Sequence, residues 1–241
     1  SSVQYPGCWY APHDANPAAP LEAAPAAASA APAAPLEAAK PRRQPGPLRI
    51  VWNHRWEFDK NPGDFVRALK AIKQAGADFQ LILMGEPPWQ AEKAGGNFNR
   101  EFRYLSKHLR EHVLHAGYLD SRQDYYEMLA LGDVCISTSN QENFGISMVE
   151  AMHFGCLPLL PRRLSYPEII PPAIHPDCLY DDLDDLVYRL LDYCRPGRLA
   201  EQRTRLLPAL QGRTNSFAWK NCIASYDQHI FRLVSFAEPS A

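Results

Sequence analysis

Two hydrophobic patterns alternate along most of the chain. One is a set of short, nearly continuous apolar runs: LRIVWN (48–53), FQLILM (79–84), HVLHAG (112–117), DVCIST (133–138) and CLPLLP (156–161). Their length and lack of a polar face predict strands buried on both sides. The other pattern spaces apolar residues three and four apart. It predicts helices over Pro62–Gln74, 98–110, Ser121–Leu131 and about Gly145–Phe154. Closing helices are predicted over Asp182–Cys194, Leu199–Leu207 and Ser216–Val234. Pro62 suits a first helical turn and Gly76 a C-terminal cap, while Ser121 with Asp124 fits a capping box. Strand and helix in regular alternation predict an α/β fold, a Rossmann-like doubly wound parallel sheet with helices on both faces.

The first 47 residues break the alternation. Residues 15–47 are rich in Ala and Pro and contain AAPLEAA twice. Proline removes backbone donors and alanine offers little area to bury, so this tract reads as a disordered or partly extended linker ending in PRRQPGP. The opening SSVQYPGCWY holds a possible strand, Val3–Tyr5, and a Pro6-Gly7 turn. It reads as the end of an upstream N-terminal domain. The expected organisation is therefore a remnant at 1–14, a linker at 15–47 and one α/β domain at 48–241.

Composition narrows the function classes. The 241 residues are 46% hydrophobic, enough for one sizeable core, and the net charge of −2 gives no global basic field for nucleic acid. Late arginines (Arg189, Arg195, Arg198, Arg203, Arg205, Arg213) read as solvated helix faces. No apolar run approaches the roughly 20 residues of a membrane span, and no leader pattern opens the sequence. Six cysteines without a CxxC pair read as reduced thiols of a cytoplasmic protein. Eight histidines without HExxH or close ligand spacing leave no metal site indicated.

In a doubly wound sheet, ligands bind beyond the C-terminal strand ends where strand order reverses. The loops after Asn53, Met84, Gly117 and Thr138 are thus the places to look. The last reads NQENFGISMVEAM (140–152). A helix starting near Gly145 would aim free amides of Gly145, Ile146, Ser147 and Met148 into the crevice, where an anion is favoured. Glu142 would project into the same space, and Glu150 lies one to two turns inside. Two acceptors flanking an anion site suit a diphosphate with a hydroxyl-rich group at each end, as in a nucleotide sugar. Taken singly, each acid reads as structural: Glu142 as a helix-dipole partner, Glu150 as an exposed helix residue. The loop after Asn53, NHRWEFDKNP, adds two cations five apart, Arg55 and Lys60. They suit a diphosphate, or else pair on the surface with Glu57 and Asp59. The tryptophans, Trp52, Trp56, Trp89 and Trp219, read as packing residues, and His54 as an equal choice between core and site.

Together these segments resemble the C-terminal domain of retaining GT-B glycosyltransferases of family four, over roughly residues 48–235. Arg55 and Lys60 match that family's Arg-x4-Lys pair, and Glu142 and Glu150 its Glu-x7-Glu signature. The segment HAGYLDSRQDYYEMLALGDVCISTSNQENFGISMVEAMHFGCLPLL fits its long core. IVWNHRWEFDKNPGDF, LHAGYLDSRQDYY and YPEI further resemble a group that transfers mannose from GDP-mannose to queuosine in a tRNA anticodon. The resemblance implies that Arg55 and Lys60 hold the diphosphate, Glu150 the ribose and Glu142 the sugar hydroxyls. It implies that Phe144, Gly145, Ile146 and Ser147 surround sugar and phosphate, Gly85 and Glu86 line the phosphates, and Tyr118 and Leu119 border the base. It also implies catalysis without a metal, a nucleotide sugar as donor, and tRNA contacts mostly through the N-terminal half. Two alternatives stay open: another nucleotide sugar with a lipid or glycan acceptor, and a noncatalytic nucleotide- or tRNA-binding module that depends on another chain.

Overall fold

The computed structural model describes residues 46–85 and 99–236. The Val3–Tyr5 strand, the Ala/Pro linker up to residue 45, Glu86 and Trp89 lie outside the described residues. Six strands form one parallel sheet: β1 (Leu48–Trp52), β2 (Phe79–Met84), β3 (Val113–Gly117), β4 (Val134–Ile136), β5 (Leu157–Pro161) and β6 (Leu179–Tyr180). Their order is β3-β2-β1-β4-β5-β6. That is the Rossmann-like doubly wound arrangement, with its reversal between β1 and β4.

Helices α1 (Pro62–Gln74), α2 (Asn99–His108), α3 (Arg122–Leu131) and α4 (Ile146–His153) follow the first four strands, α1 after β1, α2 after β2, α3 after β3 and α4 after β4. Short helices α5 (Tyr166–Ile169) and α6 (His175–Cys178) lead to β6, and α7 (Leu183–Tyr193) and α8 (Arg198–Ser216) close the body. Helix α9 (Trp219–Phe236) belongs to a separate compact unit. Within α9 the rings of Trp219 and Tyr226 lie 5.9 Å apart.

The boundaries have local causes. Pro62 opens α1, Asn61 accepts the Asp64 amide, and Gly76 takes a positive φ one residue past the cap at Ala75. Ser121 caps α3 by accepting the Gln123 and Asp124 amides. The two prolines of β5 are tolerated because of where they fall. Leu157 and Leu159 bond toward β4, so Pro158 faces the other side, at a position β6 does not reach.

Two expectations need correction. The helix read as 199–207 runs to Ser216 with Pro208 inside it. A mid-helix proline costs about 3 kcal/mol in an isolated helix. Here Leu206 and Leu210, fully buried on either side, hold the segment against the body. Strand β6 has only two residues and was not anticipated, since two residues carry no period. The late arginines divide: Arg195 and Arg205 lie on solvated faces, pairing with Asp192 and Asp177, whereas Arg189 is 18% exposed against Asp185 and Arg203 buries its Nη1.

The core lies on both faces of β1, β2, β4 and β5. Trp52, fully buried at the end of β1, stacks on Phe65 of α1 at 4.2 Å and leans on Trp56 at 5.7 Å. Burying such rings contributes several kcal/mol and fixes the exit direction of the chain after β1. Trp52 and Trp56 are thus packing residues, while Trp219 is partly exposed. Cys135, Cys156 and Cys178 are buried and form no disulfide.

Behind the sheet reversal, Gly132 joins α3 to β4. A Cβ there would fall 2.1 Å from Val51 Cγ2 and 3.0 Å from Cys156 Sγ. Gly132→Ala is therefore expected to lower stability by about 1–3 kcal/mol through overpacking. Urea unfolding of the variant beside wild type measures it, and an unchanged midpoint would show that β1 and β4 have room there.

Candidate functional site

The loops after β1 and β4 leave the sheet side by side and are stitched together. The Asp59 carbonyl accepts the Asn140 and Gln141 amides at 2.7 and 3.1 Å. The Thr138 hydroxyl donates to the Lys60 and Asn61 carbonyls at 2.9 and 2.8 Å. This backbone lacing carries Lys60 to Glu142. Lys60 Nζ sits 3.1 Å from Glu142 Oε2, 3.2 Å from Asp59 Oδ2 and 3.2 Å from the Gln141 carbonyl. Both partners are largely enclosed, Lys60 13% and Glu142 14% exposed. Arg55 stands further out, 59% exposed, pairing with Glu57 at 3.1 Å and Asp59 at 3.7 Å.

Glu142 also closes on the entrance of α4. Its Oε1 accepts the amides of Asn143 at 3.0 Å and Phe144 at 3.3 Å. Burial pushes its carboxyl up, but Lys60 and the amides of Phe144 and Gly145 outweigh this and hold it below the ordinary carboxylate range. The Phe144 ring meets Phe217 edge-on at 5.3 Å. Gly145 caps α4 with φ of 89°; a Cβ there would lie 3.1 Å from the Tyr166 ring. The free-amide expectation needs two corrections. The Gly145 amide is turned to Glu142, and the Met148 amide is spent on the Gly145 carbonyl at 3.0 Å. Ile146 and Ser147, both part-exposed, have no hydrogen bond to their amides among the described residues and remain as donors.

Glu150 opens onto a different space. A cleft of about 410 Å³ is lined by Asn53, Met84, Gly85, Tyr118, Leu119, Asp120, Arg122, Tyr125, Tyr126 and Glu150. It therefore gathers residues that follow β1, β2 and β3. Glu150 Oε2 accepts the Tyr125 hydroxyl at 2.9 Å. Burial pushes the Glu150 carboxyl above its ordinary range, against the pull of Tyr125 and Arg122. The same burial raises the Tyr125 phenol, so it stays a donor. Gly85 has φ of 117°, and a Cβ there would come within 3.0 Å of the His54 carbonyl, so backbone lines this part of the cleft.

The structure thus brings Lys60, Glu142, Gly145, Ile146 and Ser147 to one end of the crevice and Gly85, Tyr118, Leu119 and Glu150 to the other. Asn53 joins the two ends, its Nδ2 donating to the Tyr125 hydroxyl at 3.1 Å and the Ser147 carbonyl at 2.9 Å. His54 is buried beside it, with Nδ1 3.3 Å from Ser147 Oγ. Burial first, then the Lys60 charge, lowers its pKa to about 4, so the ring is neutral at pH 7. Asn53 and Tyr125 escaped the sequence analysis. Their available signals were a polar residue ending an apolar strand, and a tyrosine four places after the Ser121 cap. No described helix is long and apolar enough to cross a membrane. Among the described residues no group of three or more His, Cys, Asp or Glu is placed to hold a metal ion.

The two acids give opposite stability signatures. The Glu142 carboxyl titrates lower when folded, so its stabilisation is full above about pH 4.5 and is lost as pH falls through the depressed value. The raised carboxyl of Glu150 is destabilising at neutral pH, and that penalty vanishes below about pH 4.5. At pH 7, Glu142→Gln is expected to lose on the order of 1–2 kcal/mol, between the values for exposed and buried pairs. Glu150→Gln, which keeps an acceptor for Tyr125, is expected to be more stable than wild type. Denaturant unfolding from pH 7 to 3.5 checks both, and each difference should shrink toward the acid end.

Comparison with known proteins now places the chain. Residues 35–176 match the family described as glycosyl transferases group 1. A tRNA-queuosine alpha-mannosyltransferase of Drosophila melanogaster is 34% identical over 152 residues, 63% of this chain and 37% of the relative. A GDP-mannose-dependent alpha-(1-6)-phosphatidylinositol dimannoside mannosyltransferase of Mycobacterium tuberculosis is 26% identical over 128 residues, 52% of this chain and 30% of the relative. The chain therefore spans roughly a third of the length of these curated relatives. Among solved structures, a glycosyltransferase from Rickettsia africae superposes with a TM-score of 0.63 at 18% identity, covering 81% of this chain and 50% of that one. Sucrose-phosphate synthase from Thermosynechococcus elongatus gives 0.62 at 22% identity, covering 80% and 46%. These likenesses show the Rossmann-like half of the GT-B fold. With its parallel six-stranded sheet and a family match over more than half its length, the chain belongs to the glycosyl transferases group 1 family.

Proposed function

We propose that this domain binds the donor in a retaining glycosyltransferase that moves mannose from GDP-mannose to queuosine in tRNA. The observation that carries the reading is the Lys60–Glu142 pair, laced to the entrance of α4 at the sheet reversal. A cation, two available amides and a carboxylate there meet the needs of a sugar diphosphate. The Glu150 cleft at the other end has the size and the acceptor for a nucleoside. Both curated relatives are named for mannosyl transfer, and one for GDP-mannose.

In this reading Lys60 and Arg55 neutralise the diphosphate, with the Ile146 and Ser147 amides at its oxygens. Arg55 would exchange its exposed pairs with Glu57 and Asp59, worth about 0–1 kcal/mol, for charge-assisted phosphate bonds worth about 1.5–3 kcal/mol. Glu150 accepts the ribose hydroxyls, and the push of burial on its carboxyl fits a group that gains donors when a ligand arrives. Glu142 accepts sugar hydroxyls and stabilises positive charge developing at the anomeric carbon. The acceptor oxygen attacks that carbon from the face the phosphate leaves. The carbon–oxygen bond to the β-phosphate breaks, and the acceptor proton passes to the departing phosphate oxygen. The chemistry needs no metal, because Lys60 and Arg55 carry the leaving-group charge. Acceptor tRNA would be held largely by residues outside this domain.

A second reading keeps the donor and changes the acceptor, since the mycobacterial relative is named for a phosphatidylinositol dimannoside. The full-length protein incubated with labelled GDP-mannose and queuosine-containing tRNA is expected to label the tRNA. Label entering lipid instead would favour the second reading, and label entering neither would overturn both. In calorimetry, Arg55→Ala and Lys60→Ala are each expected to weaken GDP-mannose binding by about tenfold or more, the loss of one charge-assisted contact. Unchanged affinity would return both cations to a purely structural role.

A further inference from the structure

His54 lies between the two ends of the crevice and has no part in the proposed function. It is 3% exposed, and its ring meets Trp52 edge-on at 5.1 Å. Burial and the Lys60 charge outweigh the pull of Glu142 and Asp59, so the ring is neutral at pH 7. A neutral imidazole carries one N–H and one bare nitrogen, and its neighbours decide which is which. Nδ1 lies 3.3 Å from Ser147 Oγ, while Nε2 is buried with no hydrogen-bond partner among the described residues. Asn53, the residue before it, donates to the Ser147 carbonyl at 2.9 Å. Ser147 is therefore gripped at its carbonyl and at its hydroxyl by consecutive residues, 94 and 93 positions away. It sits part-exposed in the first turn of α4.

Two proton arrangements satisfy the contact between ring and hydroxyl. In one, Ser147 donates its O–H to Nδ1, and the ring proton sits on Nε2 as a buried N–H without an acceptor. The serine oxygen then has only lone pairs to offer the crevice. In the other, Nδ1–H donates to Ser147 Oγ, and the hydroxyl proton is released for a further partner. A phosphate oxygen only accepts. An anion at the entrance of α4 therefore repels the first arrangement and bonds to the second. We infer that His54 donates Nδ1–H to Ser147 Oγ and so makes the Ser147 hydroxyl a third donor to a donor-sugar phosphate, beside the Ile146 and Ser147 amides. His54 acts through Ser147 and is a positioning residue. The inference rests on the donor-binding reading above and adds to it a hydroxyl and the ring that orients it.

Two measurements on the full-length protein test it. Heteronuclear NMR on protein with isotope-labelled histidine reads which ring nitrogen carries the proton when GDP is bound, the His54 signals being identified by their loss in His54→Asn. A proton on Nδ1 is expected, and a proton on Nε2 alone overturns the inference. Calorimetry with GDP compares wild type, Ser147→Ala, His54→Phe, His54→Asn and the double variant of Ser147→Ala with His54→Phe. Ser147→Ala is expected to weaken binding about tenfold, the scale of one charge-assisted contact. His54→Phe should cost about the same, and the double variant no more than either alone, because both substitutions remove one contact. His54→Asn, whose amide can donate from near the Nδ1 position, should recover most of the loss. A ring that merely packs would be replaced well by phenylalanine and poorly by asparagine, which overturns the inference. Unchanged GDP affinity in Ser147→Ala, or losses that simply add, overturns it too and leaves the donor site standing. Failure of wild type to bind GDP overturns both.

Discussion

Strand β1 is flanked by β2 on one side and β4 on the other, so successive crossovers must leave the centre of the sheet in opposite directions. The chains leaving β1 and β4 cannot pack over one another, and a crevice opens between them. Everything chemical in the domain depends on how that crevice is edged. Trp52 fixes the exit from β1 by stacking under α1, and the Asp59 and Thr138 hydrogen bonds tie that exit to the loop after β4. Lys60 and Glu142 lie 82 positions apart in sequence and meet only because of this lacing.

The two acids of the Glu-x7-Glu spacing share a side-chain chemistry and are held in opposite ways. Glu142 is bound by a cation and amides that favour its charge. Glu150 is enclosed, with the Tyr125 phenol donating to it. One is content as folded; the other carries an unmet demand for donors. A site that stores this mismatch at one end, against a satisfied ion pair at the other, is organised for a ligand with different needs at its two ends. Asn53 and Tyr125 hold that difference in place by bridging α4 to β1.

Much of the fold was legible because strands buried on both faces must be written as apolar runs. LRIVW and FQLILM became β1 and β2 within a residue of their predicted limits. Helix α1 fell at its predicted bounds because Pro62 and Gly76 punctuate it chemically. The miss at Pro208 came from treating a local penalty as decisive when buried leucines on both sides outweigh it. At the site, spacing announced Glu142 with Glu150 and Arg55 with Lys60, but not how deep each lies. Lys60 is enclosed and Arg55 largely in solvent, a difference set by a 3-10 turn at Phe58–Lys60 that no periodicity marks. Asn53 follows β1 and Tyr125 lies in α3, 72 positions apart. Their meeting is a product of the sheet order, which local pattern does not encode.

The unequal depth of the two cations makes dissolved ions discriminate between them. Counter-ions crowd an exposed guanidinium and damp its reach beyond about 8–10 Å at physiological strength, while an ammonium walled in by carboxylate and carbonyl oxygens is shielded from them. Added salt would thus blunt the outer cation, which draws an anion in from a distance, and spare the inner one. Capture would slow in brine before retention weakens.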